Sequence, residues 1–147
     1  MKYADYAKIR RVNWSTLREV VFRSPLHYLH AIQNPSPDTT SRAMGRLLHA
    51  LVLRPGDVDT EFVVFDGDRR GNAWKDFAAA NADRTILRAS EWETVDAQAS
   101  AVLDRWPVPQ STEVYLSWTD PDTGIACKGM ADAIGDGILT DLKGTGP

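Results

Sequence analysis

Apolar positions along the chain fall into two regimes. From about Thr40 to Leu53, Met44, Leu47, Leu48 and Leu51 recur at helical spacing and Pro55-Gly56 supplies a stop, so this stretch predicts the clearest amphipathic helix. Before it, Asn13 or Ser15 is placed to cap a helix running to about Phe22. Ser24-Pro25 restarts a second helix with Leu26, Tyr28, Leu29 and Ile32 as its apolar positions, and Asn34-Pro35-Ser36-Pro37 ends it. After the amphipathic helix, a short strand is expected over Phe62 to Phe65, a charged turn over Gly67 to Gly71, a helix over Ala73 to Ala82 and a strand over Thr85 to Leu87. Ser90, with Glu93 at capping-box spacing, predicts a helix to about Trp106, closed by the linker Pro107-Val108-Pro109.

The pattern then changes to period two. Glu113 to Trp118 alternates as a strand, Asp120-Pro121-Asp122-Thr123-Gly124 turns the chain, and Ile125 to Asp132 returns. Asp136-Gly137, flanked by Ala133-Ile134 and Ile138-Leu139, predicts a two-residue hairpin loop, because Asp and Gly tolerate positive φ. That loop sets Gly135 opposite Ile138 and Asp132 opposite Asp141, with Lys143 on the same face. The expected fold class is therefore mixed α/β (α+β), with a helical N-terminal half packed on a three-stranded antiparallel meander that carries Asp132, Asp141 and Lys143.

At 147 residues, 43% hydrophobic and 25% charged, the chain has the composition of one globular domain over 1–147. The single cysteine, Cys127, excludes an intrachain disulfide and any multi-cysteine metal site, and suits a reducing compartment. Met1 to Val12 is charged and lacks the apolar core of a leader, and no apolar run is long enough to span a bilayer, so a cytoplasmic protein is expected. A net charge of -3 argues against a simple nucleic-acid coat. Lys8, Arg10 and Arg11, or Arg69 and Arg70, nevertheless offer local phosphate contacts, and Trp74 or Trp118 could stack on an unpaired base.

The chemistry lies in the last hairpin. Directly opposed residues have Cβ atoms roughly 4.5 to 5.5 Å apart, a separation at which two carboxylates repel unless a cation lies between them. A hard divalent cation with an ammonium beside it is what phosphodiester hydrolysis needs. The plain alternative is a solvated sheet face with Lys143 as a rim counter-ion and Asp136 as a turn residue. For His49, at the border of an apolar stripe, the alternative is a packed or surface histidine, and for Glu113 an outward-facing strand residue. His27 and His30 are expected to decorate a helix surface.

Taken in order, Gly45-Arg46-Leu47-Leu48-His49, then Glu113 in Thr112-Glu113-Val114-Tyr115, then Lys128-Gly129-Met130-Ala131-Asp132, then Asp141-Leu142-Lys143 resemble the PD-(D/E)XK nuclease superfamily, and within it the RecE-like, exonuclease VIII type group of phages and prophages. Asn13-Trp14-Ser15-Thr16-Leu17, Ser24-Pro25-Leu26-His27-Tyr28 and Leu51-Val52-Leu53-Arg54-Pro55 extend the resemblance over nearly the whole chain. It implies a restriction-endonuclease-like core in which Asp132 and Asp141 bind metal, Lys143 is the catalytic lysine, and His49 and Glu113 are further metal-site residues. It also implies magnesium, or manganese in its place, digestion of linear double-stranded DNA from an end in the 5′ to 3′ direction, and recombination with a single-strand annealing protein in a bacterial or phage-infected cell. Met130-Ala131 departs from the Arg-Pro or similar pair that relatives tend to carry before the acid. RecE-like enzymes continue past the lysine with a helix and further strands, so the resemblance implies that this chain lacks the domain's C-terminal part. An open three-stranded edge would then favour homo-oligomers. The competing expectation is a catalytically inactive DNA-binding or protein-interaction module of the same fold.

Overall fold

A computed structural model describes residues 3–34 and 37–144 of the chain as a mixture of helix and sheet of the α+β class. The helices are divided between two compact units, each interrupted in sequence. The first is built from residues 1–37 and 111–140 and the second from 38–110 and 141–147.

In the first unit, α1 (Tyr3–Lys8), α2 (Trp14–Phe22) and α3 (Pro25–Gln33) accompany β3 (Ser111–Thr119), β4 (Ala126–Gly135) and β5 (Ile138–Thr140). The strands form the expected antiparallel meander in the order β3-β4-β5. Asp120 makes the first connection, accepting from the Thr123 hydroxyl at 2.7 Å and its N–H at 2.9 Å, and these bonds hold its carboxyl below the usual carboxylate range. The second connection is the Asp136-Gly137 loop, with φ of 50° and 76°, and it produces the pairs Gly135↔Ile138, Ile134↔Leu139 and Ala133↔Thr140.

Val12 adds a single bridge to Cys127 on the edge of β4 away from β3: its N–H donates to Ala126 O at 3.0 Å and its carbonyl accepts from Lys128 N at 2.8 Å. This docking accounts for α1, which the charged N-terminus did not announce. Tyr6 is buried, and its carbonyl accepts from Lys128 Nζ at 2.6 Å, while that ammonium also lies 4.1 Å from the Tyr6 ring centroid. Lys128 is buried at 5% exposure, and desolvation lowers its pKa from 10.5. α2 is capped by Asn13, whose side chain accepts from Thr16 N, and α3 by Ser24 with Pro25 at its first position. The two helices pack on each other, yet neither contains a buried residue.

In the second unit, α4 (Thr40–Leu53) is capped by Thr39 and runs over the expected residues. α4 ends at Leu53 with Arg54 as its C-cap, as the Pro55-Gly56 stop predicts, and a 3-10 turn (Pro55–Asp57) and α5 (Val58–Glu61) follow directly. β1 (Phe62–Val64) pairs in parallel with β2 (Thr85–Leu87), and α6 (Gly71–Ala80) connects them. α7 (Ala89–Leu103) starts earlier than Ser90 predicted, because Glu91 accepts from Arg88 N at 2.8 Å and fixes the cap there. Ala43, Leu47, Leu48, Ala50, Val52 and Leu53 of α4 meet Val58, Phe62, Leu87, Val95, Ala99 and Leu142 in one core. Gly45 has no atom within 4 Å of the place a Cβ would take, so close helix packing is not what it serves.

Two stability results are expected. Gly45→Ala raises the denaturation midpoint, by the ~1 kcal/mol that glycine costs within a helix. Between the lowered folded pKa of Lys128 and 10.5, the unfolded chain holds a proton that the folded chain releases, so this group adds stability as pH rises through that window. Urea titrations across alkaline pH will show that rise in the wild type relative to Lys128→Met, and parallel curves would contradict it.

Candidate active site

The nominated residues are distributed over both units. On the first, the β3–β4 register runs through Thr112↔Ala133 and Val114↔Ala131, which sets Glu113 opposite Asp132. Sequence reading had opposed Asp132 only to Asp141. Glu113 breaks the ladder locally with φ of 47°, a left-handed conformation that costs a non-glycine residue of the order of 1 kcal/mol or more and gathers at functional positions. The β4–β5 ladder stops at Ala133↔Thr140, one residue short of both Asp132 and Asp141.

On the second unit lies Asp141-Leu142-Lys143. Its middle residue is buried in the core, while Asp141 and Lys143 are exposed. This is the alternation of an extended segment with one face inward, and it brings the acid and the lysine to the same side, where Lys143 Nζ meets Asp141 Oδ1 at 2.9 Å. With side-chain exposures of 76% and 58% the pair contributes little stability, at most ~1 kcal/mol. Its interest is positional.

His49 projects from α4 to this segment: its Nε2 lies 2.9 Å from the Leu142 carbonyl oxygen. A carbonyl only accepts, so Nε2 carries the proton in this arrangement. The Leu142 carbonyl was not foreseen, since a backbone group leaves no mark in a residue pattern.

The donor chemistry of these groups bears on a divalent cation. Carboxylates and a carbonyl are hard oxygen donors, and imidazole is a common metal ligand. His49 Nε2 and Leu142 O are engaged with each other at hydrogen-bond distance, so this nitrogen is not presented as a ligand in the present arrangement. Among the described residues, no three His, Cys, Asp or Glu side chains gather closely enough to hold a metal ion.

The other residues singled out by the sequence have local duties. Arg69 donates to Ile86 O at 3.1 Å and stacks on Trp74, and Trp118 covers Gly129. His27 and His30 are exposed, as expected, and His27 Nδ1 lies 2.8 Å from the Ser24 hydroxyl oxygen. A cavity of about 290 Å³ in the second unit is lined by Asp38, Arg69, Arg84 and Glu91 among others, and includes none of the nominated five. Asp38 there is held by Arg46 in a two-pronged pair at 2.8 and 2.6 Å, which lowers its pKa.

Comparison with known proteins yields no family model, no curated protein and no solved structure that matches this chain.

The tie between His49 and Leu142 gives an expected outcome. His49→Ala removes the donor to a carbonyl beside the core, at a cost of about 1 to 2 kcal/mol. Amide exchange of Leu142, Lys143 and Gly144 will accelerate by roughly five- to thirtyfold, with α7 little changed. Unaltered exchange there would show that the hydrogen bond does not hold the segment.

Proposed function

We propose that this chain is a magnesium-dependent deoxyribonuclease of the PD-(D/E)XK type, similar to RecE-like exonucleases, which digests linear double-stranded DNA from an end in the 5′ to 3′ direction. The observation that carries the reading is the Asp136-Gly137 hairpin, whose register leaves Asp132 and Asp141 equally far from the turn and one step beyond its last pair, with Lys143 bound to Asp141 at 2.9 Å. The strained Glu113, opposite Asp132, adds support from the neighbouring strand. So does His49, which the motif order places on a helix before the sheet and whose Nε2 meets the backbone of the D-x-K segment. A restriction-endonuclease-like core and a homo-oligomeric assembly belong to the same reading.

By the resemblance, Asp132 and Asp141 would hold the cation, with His49 and Glu113 as further metal-site residues. Magnesium, when bound, polarises the scissile phosphoryl group and makes a water acidic enough to attack it. Lys143 orients that water or offsets the charge that develops on the phosphoryl oxygens. Its bond to Asp141 places the ammonium beside a carboxylate that would hold the cation. A catalytically inactive module would keep all of these contacts and differ only in lacking cleavage.

The test is digestion of linear and closed-circular duplex DNA with magnesium, with EDTA, and by Lys143→Ala. Magnesium-dependent loss of the linear form alone, slowed about 10²- to 10³-fold by the substitution, is the expected result. Cleavage of circles would indicate an endonuclease, and no cleavage of either form would favour the inactive module.

A further inference from the structure

α2 carries a face that its own unit leaves uncovered. Trp14 is 62% exposed, Phe22 74%, Val21 61% and Leu17 40%, in a helix without a buried residue. A helix turns about 100° per residue, so Trp14, Arg18 and Phe22, four residues apart, fall on one side, and Leu17 and Val21 flank them. The Trp14 and Phe22 rings meet edge to face at 6.2 Å and 85°. By helical position Arg18 falls on the same side as the two rings, which close on each other. Arg10 and Arg11 lead into that side, Arg23 closes it, and all four guanidinium-bearing residues are exposed. From Lys8 to Arg23 the chain carries Lys8, Arg10, Arg11, Arg18 and Arg23 against Glu19 alone, in a protein whose net charge is -3. Glu19 is shared by Arg18 at 3.6 Å and Arg23 at 3.5 Å, and so does not neutralise both.

We infer that this face of α2 binds unpaired single-stranded DNA, with bases stacked on Trp14 and Phe22 and phosphates held by Arg10, Arg11, Arg18 and Arg23. Interleaved aromatic and basic side chains are the arrangement that grips an unpaired strand, because every base presents a π face and every linkage a negative charge. The other occupants fit less well. A helix lying in a bilayer surface segregates its cations to the polar side, whereas Arg18 stands at a helical position between Trp14 and Phe22. A second copy meeting the same face would set arginine against arginine. The choice of DNA over RNA rests on the proposed nuclease activity, while the face itself does not: it is a binding surface distinct from the Asp141-Leu142-Lys143 segment.

The experiment is fluorescence anisotropy of labelled oligothymidylate with the full chain in EDTA, where no cleavage intervenes, so loss of binding and loss of nuclease activity are read separately. Binding should weaken by roughly five- to 150-fold per stacked base lost in Trp14→Ala and in Phe22→Ala, and Trp14→Phe, which keeps a ring, should retain most of it. Arg18→Gln should lower the slope of log affinity against log salt by about 0.7. Circular dichroism of each variant checks that it is folded, and Phe22→Ala and Arg18→Gln stand as independent tests should Trp14→Ala misfold. Equal binding by wild type and these variants, or no binding by the wild type, overturns the proposal. So does a face whose substitution abolishes pelleting with phosphatidylglycerol vesicles or concentration-dependent self-association while leaving oligonucleotide affinity intact. An oligouridylate bound more tightly than the DNA would overturn the choice of strand.

Discussion

Two consecutive residues with positive φ, Asp136 and Gly137, determine where every side chain of the final hairpin points. A strand alternates its faces residue by residue, so a slip of one position would turn Asp132 and the buried Ala131 and Ala133 to opposite sides. The tight loop removes that freedom. Once Gly135 is paired with Ile138, the distances in sequence from the turn to Asp132 and to Asp141 are equal, and the buried Leu142 sets the exposed sides of Asp141 and Lys143. The proposed chemistry depends on that register more than on any single contact.

How much of this was legible in the sequence follows from the range of the forces involved. The meander was legible because turn chemistry and period-two alternation are local, and α4 because its apolar residues repeat with the helix. The first cap was readable only as a choice between Asn13 and Ser15, of which the structure uses Asn13, and the restart at Ser24-Pro25 was readable outright. The bounds of α7 were less so, since Arg88 and Glu91 close the cap two residues before the Ser90 and Glu93 pair that matches the usual pattern. α1 went unread because its reason for existing is distant: the Tyr6 carbonyl and ring receive the Lys128 ammonium.

The candidate site divides along the same line. Asp132, Asp141 and Lys143 could be nominated from spacing, because a hairpin converts spacing into geometry. That Glu113 would stand opposite Asp132 needed the register of β3 on β4, which no short loop fixes. The Leu142 carbonyl, as a partner of His49, needed the packing of a helix from the middle of the chain against its last residues. Exposure of the α2 face was equally hidden. A helical stripe of apolar residues announces burial in sequence, and only the folded chain reveals that Trp14 and Phe22 stay open.

The interruption of both units in sequence bears on the order in which the chain acquires structure. Tyr6 and Lys128 are 122 residues apart, and Val12 joins a strand whose partners emerge only after the whole of 38–110. During synthesis α1, α2 and α3 are therefore made early and wait for their sheet, while the second unit closes its core only when Leu142 arrives. Loop closure over such separations slows folding and leaves apolar helices open to other chains meanwhile. A ribosome that stalls anywhere before β5 releases two unfinished units rather than one complete and one missing.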